Sequence, residues 1–390
     1  MKVRISALAV ATAAMIASAH AQQAADDHLG TVHFPISCTA AQDKFDRAVA
    51  LLHNFFYPET LKAFQAIIKE EPDCAIAYWS LVMSELPNPL VPPFPPANLK
   101  AGWEAIQSGK AAKTRTPRET EYFGAIEIFY TDYDKVDHTT RAKRYERAMR
   151  RLHEHYPEDA EAAIFYALAL NGAVDFDDKN YTKQLKAAAI LNEEAKKRPN
   201  HPGIAHYLIH SYDFAPLAAM CVSTAQLYDK IAPAAPHALH MPSHIYSMLG
   251  MWDESVRSNI DAKAAADDYA AKNFPGATDP GVPHMLDFIV YAYLQTAKDG
   301  DAKQVVDSLP KLKKFASVGS GPTRPWPPFP RALRSSAVAG LRRRSCLSAT
   351  VSIRWPSQYP ILPARSVPPV PVMQRQPVPR SPISMRSKGS

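Results

Sequence analysis

The chain has little of what usually marks an enzyme. It contains no glycine-rich phosphate loop, no Gly-x-Ser-x-Gly elbow and no paired carboxylates at a recognisable catalytic spacing. Those absences exclude P-loop nucleotide chemistry and the hydrolase elbow. Acidic runs such as Asp175–Asp178 and Asp267-Asp268 lack the further spaced oxygen ligands of a Ca²⁺ loop and read as solvated surface. Long apolar stretches are missing too. Beyond residue 21 no segment reaches eighteen uninterrupted apolar residues, so no membrane-spanning helix is expected. Cysteine is scarce, at 4 in 390 residues.

Acidic residues vanish altogether from Ser308 to Ser390, which carries 15 Lys or Arg and 15 Pro. Taking those 15 cations from the net +7 leaves residues 1–307 at −8, so the basic balance belongs to this segment and the body is acidic. A nucleic-acid partner is therefore not expected. Proline forbids continuous helix there and like charges repel, so residues 308–390 read as a disordered tail or as the product of a shifted reading frame.

The other end carries an address. Lys2 and Arg4 precede the apolar, small-residue run Ile5–Ala17, and Ala19-His20-Ala21 is a small-x-small cleavage signal. Residues 1–21 are expected to be a secretory signal cleaved after Ala21, leaving a periplasmic or secreted protein with a lead at 22–37.

Between these ends lies a repeat. His201-Pro-Gly-Ile-Ala-His-Tyr-Leu-Ile-His-Ser-Tyr212 aligns with Ala235-Pro-His-Ala-Leu-His-Met-Pro-Ser-His-Ile-Tyr246. Pro202 and Pro236, His206 and His240, His210 and His244, and Tyr212 and Tyr246 are each 34 residues apart. That period is the tetratricopeptide one. Ala75, Tyr78 and Leu81 open another unit, and Ala160, Tyr166 and Leu170 a further one. Small residues let paired helices approach, large ones fill the holes and prolines punctuate, so an all-α stack of helix pairs is expected over 38–307. Insertions are expected at about 86–98, 175–181 and 273–284.

The chain resembles the tetratricopeptide-repeat superfamily over residues 38–307. Cys38, Phe45, Leu52-His53, Phe56-Tyr57 and Asp73-Cys74-Ala-Ile-Ala-Tyr-Trp79 resemble an exported bacterial subgroup of it. The resemblance implies a right-handed α-solenoid that binds a protein or peptide partner in a concave groove, a scaffold more than an enzyme. In such solenoids the second, fifth, ninth and twelfth residues of each first helix line the groove. Here those are Gly203, His206, His210 and Asp213, then His237, His240, His244 and Ser247. Spacings of three and four put each set on one helical face. His206 is expected to face His240, and His210 to face His244. His53, Asn54 and Trp79 are further candidates for the groove.

Three readings of the histidines compete. They hold Zn²⁺ or Cu²⁺, which imidazole suits, in a metal-binding protein or a metalloenzyme. Alternatively they grip a small anionic ligand or acidic peptide in partly protonated form, or they pack helices together. Cys38 and Cys74 precede the first helices of neighbouring units, whose junctions are close, so a disulfide between them is expected to clamp the N-terminal end.

Overall fold

The computed structural model describes residues 28–316, apart from Pro87, Phe176 and Lys313. The expected signal segment 1–21 and nearly all of the Pro/Arg-rich segment lie outside the described residues. Every regular element within them is helical, and the only β-type pairings there are two isolated bridges, Cys74–Thr114 and Thr278–Phe315. The fold class is all-α. No described helix is long and apolar enough to cross a membrane.

The helices follow as α1 (Gln42–His53), α2 (Tyr57–Glu70), α3 (Ala75–Ser84), α4 (Pro96–Ala111) and α5 (Pro117–Tyr130). Then come α6 (His138–His155), α7 (Ala160–Gly172), α8 (Thr182–Lys197), α9 (Pro202–Tyr212) and α10 (Val222–Ile231). The last are α11 (Pro236–His240), α12 (Pro242–Met248), α13 (Trp252–Asn273), α14 (Val282–Gln295) and α15 (Asp299–Ser308). Proline sits in the first turn of α2, α4, α5, α9, α11, α12 and α14, where the missing N–H costs nothing and the fixed φ favours helix. Thr116 and Glu119 form a reciprocal capping box on α5. The interval from Ala75 to Ala160 thus holds α4 and α5 besides the expected loop, where the sequence reading marked only an insertion.

Most helices pack on the next one, and alternate helices also touch: α1 on α3, α3 on α5, α7 on α9, α9 on α12 and α12 on α14. The small residues at packing places are buried as the spacing requires, among them Cys221, Ala225, Ala187 and Ala262, each with no exposure. A contact without precedent in the repeat pattern is α1 against α9. The lead segment runs with it. The Thr31 N–H donates to the Asn200 carbonyl at 2.9 Å, and the Ala234 N–H to the His28 carbonyl at 3.1 Å. Gly30 is required at this crossing: its φ is +85°, and a Cβ would stand 2.8 Å from Pro202 Cδ. Phe34 is buried against Phe45, Trp79 and Tyr122, with ring centroids 5.0–5.4 Å away.

Cys38 and Cys74 form a disulfide, with Cα atoms 5.8 Å apart. It ties the start of α1 to the start of α3. Closing a loop across 36 residues stabilises the fold by about 3–4 kcal/mol in the chain-entropy model. The denatured, unreduced chain should therefore show two reactive thiols out of four, Cys221 and Cys346, and four after reduction. Three or more before reduction would rule the bridge out. Cys38→Ser should lower the denaturation midpoint by an amount matching that energy.

Candidate metal centre

Two histidine trios stand side by side on α9, α11, α12 and α14. Helix α9 begins at Pro202, and its N-cap His201 accepts the Ile204 N–H on Nδ1 at 3.4 Å. The next first helix begins at Pro236 but is interrupted. Pro242 has no N–H to continue the ladder, so the chain divides at Met241 into α11 and α12. Numbering each first helix from its proline (Pro202, Pro236, Pro283), histidine occupies place two in the second and third helices, as His237 and His284. It occupies places five and nine in the first two, as His206 with His210 and His240 with His244.

Each trio is built the same way. Places five and nine of one helix meet place two of the next, giving His206, His210 and His237, then His240, His244 and His284. Within each trio one ring nitrogen per residue lies within 4.8 Å of the others. His206 Nε2 is 3.1 Å from both His210 Nε2 and His237 Nε2. His240 Nε2 is 3.0 Å from His244 Nε2, and the His284 ring centroid is 4.6 Å from that of His240. These separations are close to the roughly 3.3–3.4 Å between two nitrogens on one tetrahedral Zn²⁺ with bonds of about 2.0–2.1 Å. The expected pairing is corrected in one respect. His206 meets His237 and not His240, because neighbouring helices are staggered along their axes. His210 does face His244, with ring centroids 6.3 Å apart.

Hydrogen bonds on the far ring atoms fix the tautomers. His206 Nδ1–H donates to the His53 carbonyl at 2.6 Å. His240 Nδ1–H donates to Asn259 Oδ1 at 2.6 Å, while Asn259 Nδ2 is committed to the Ser255 carbonyl. His244 Nδ1–H donates to Asp213 Oδ2 at 2.7 Å. These bonds turn the Nε2 atoms inward, the arrangement by which outer partners orient metal-bound histidines. Asn259 was not singled out from the sequence. Its only signal was its place on the second helix of the unit.

Burial keeps the rings uncharged. Desolvation, reinforced by neighbouring histidines, holds His206, His237 and His284 well below the ordinary imidazole range and lowers His210 and His240 to about 3. These five rings are thus neutral donors, which does not favour a cationic grip on an anion by them alone. For Asp213 burial pushes the pKa up, but the adjoining His244, with His210 and His240, outweighs it and the net shift is downward. Asp213 Oδ1 is buried with no partner. Each trio has an aromatic flank. Phe55, held at φ +51°, stacks on His237 with centroids 5.5 Å apart, and Phe288 lies 4.9–5.1 Å from His240, His244 and His284.

The remaining expected residues lie elsewhere. Trp79 is fully buried between Phe34, Tyr122 and Phe165. Asn54 is buried, accepting from the Tyr228 hydroxyl and donating to the Leu29 and Ala50 carbonyls. Ser247 bonds Ser255 at 2.9 Å. His53 belongs to a third cluster with Glu161 and His201, and it occupies the space a side chain at place two of α9 would need. That place is Gly203, whose Cβ would fall 2.4 Å from His53 Nδ1. This cluster is chemically saturated. His53 Nε2–H and His201 Nε2–H both donate to Glu161 at 2.9 Å, the other His53 nitrogen accepts from the Tyr207 hydroxyl, and that of His201 caps α9. Burial pushes Glu161 up, but the two histidines hold it below the usual carboxylate range. With both nitrogens of each ring engaged, it is a structural knot.

His284 is the member that the period could not find. It follows His237 by 47 residues instead of 34, because α13 and the loop after it lengthen the unit. Three places after it comes Asp287, at place five, where the earlier helices carry His206 and His240. Its Oδ1 is buried without a partner, and burial pushes its pKa up to about 7. A folded-state pKa raised above the unfolded value means stability is lost as pH rises from about 4 to about 7. Asp287→Asn should therefore melt above the wild type at pH 8, with the difference shrinking towards pH 4. An unchanged difference across that range would sink the assignment. None of the family models and none of the curated proteins compared matches the chain.

Proposed function

We propose that this protein is an exported tetratricopeptide-type solenoid that binds two late first-row divalent ions, Zn²⁺ or Cu²⁺, one in each histidine trio. The observation that carries the reading is the facing pair His240 Nε2 and His244 Nε2. They are 3.0 Å apart, and both rings give their Nδ1–H away in the opposite direction. Two lone pairs so close repel unless a proton or a metal ion lies between them. Burial opposes charging His240, and a ring nitrogen of His284 lies within reach of the same ion. All-imidazole donor sets suit zinc and copper. The 34-residue register and the stacking of alternate helices support the solenoid, and the Cys38–Cys74 bridge supports an oxidising compartment.

The reading in which a groove captures a protein or peptide partner has less to stand on. The lead segment and α1 pack against α9, where an open inner face would otherwise run. Partial exposure of His210, His237, His244 and His284 favours a small ligand at the trios.

Purified metal-free and then reloaded, the chain should retain two ions by plasma mass spectrometry. His240→Ala and His206→Ala should each retain one. Retention of none by the wild type would overturn the proposal. Asn259→Ala removes only the outer partner of His240 and should weaken the second site by about 10- to 100-fold while leaving the first unchanged.

A further inference from the structure

The two trios are one repeat step apart, and that step limits what the loaded centre can hold. Equivalent places of successive helices carry each ion, so the ions are displaced by about the distance between equivalent rings. His210 and His244 measure that step at 6.3 Å. Metal–oxygen bonds of about 2.0–2.2 Å allow one shared oxygen to span at most about 4.4 Å. A single bridging oxygen is therefore too short. Two oxygens of one molecule are needed to reach both ions.

Charge points the same way. Two divalent ions on six neutral imidazoles bring +4 into a largely apolar setting flanked by Phe55 and Phe288. Asp213, hydrogen-bonded to His244, supplies −1, and a further −1 from Asp287, three residues after His284, would still leave a net +2. Uncompensated charge at a site of this kind is costly. Three protein nitrogens leave each four-coordinate ion one further position. The partly exposed rings of His210, His237, His244 and His284 mark where an incoming ligand has access.

We propose that the two trios act as one receptor for a single small bidentate oxyanion, a dicarboxylate or phosphate, whose two oxygens complete both coordination shells. This rests on the metal reading above, in which the ions supply the positive charge that holds the anion.

The test uses the full chain loaded with zinc, its two ions counted first. Fewer than two would be a failure of the metal reading and is seen before any anion is added. The two-zinc protein is then titrated calorimetrically with oxalate, inorganic phosphate and acetate. The expected result is one oxalate or one phosphate per chain, bound at least tenfold more tightly than acetate, with both zinc ions retained. Whichever of the two binds tighter names the source chemistry. His284→Ala, holding one ion, should lose at least tenfold in that affinity. Wild type loaded with a single zinc gives the same reading without a substitution. Two anions per chain, equal binding of acetate, unchanged affinity in the one-zinc proteins, zinc lost to the anion, or no anion bound at two zinc ions would each overturn the proposal.

Discussion

The hydrogen bond from His206 Nδ1 to the His53 carbonyl joins parts of the chain 153 residues apart, and much of the molecule is organised around it. For that carbonyl to arrive, α1 must lie against α9, which Gly203 permits by having no side chain. The His53 ring then enters the cleft and is held by Glu161, Tyr207 and the stacked ring of Phe165. Beyond it the chain turns through Phe55 in a left-handed conformation, which is uncommon for a bulky residue. That turn lays Phe55 over His237. A single insertion of the N-terminal helix thus orients one histidine of the first trio and covers another.

The three histidine clusters show how little residue type decides by itself. All three place nitrogens within 4.8 Å of one another. Around Glu161 each imidazole donates to the carboxylate and accepts from a hydroxyl or a backbone N–H, so nothing is left to offer. In the trios the outward hydrogen bonds use the Nδ1–H groups, and the inward nitrogens face each other. The same side chain is a structural tie in one place and a lone-pair donor in the other. What distinguishes them is where the acceptors stand.

The repeat was legible where its spacing was kept. Prolines at 202 and 236 and histidines four places apart located five of the six trio residues and the helices that carry them. Helix α5 escaped notice although Thr116 and Glu119 spell a capping box, because its unit departs from the 34-residue period. His284 escaped for the same reason, since a spacing argument is blind to a lengthened unit. The burial of His53 and Asn54 was also beyond reach, because it arises from packing between segments distant in sequence.

Sequence by itself determined that the chain would be helical, that Cys38 and Cys74 would lie at neighbouring junctions, and that each histidine pair would share a face. These follow from local periodicity, which a linear string carries in full. Tertiary structure alone decided which pairs combine with which third ring and which nitrogens point inward. It also decided that the N-terminal helix would pack against α9. Those outcomes depend on axial stagger, on acceptors such as the His53 carbonyl and Asn259, and on the volume left at Gly203. They are set by close packing between distant segments, which no spacing along the chain encodes.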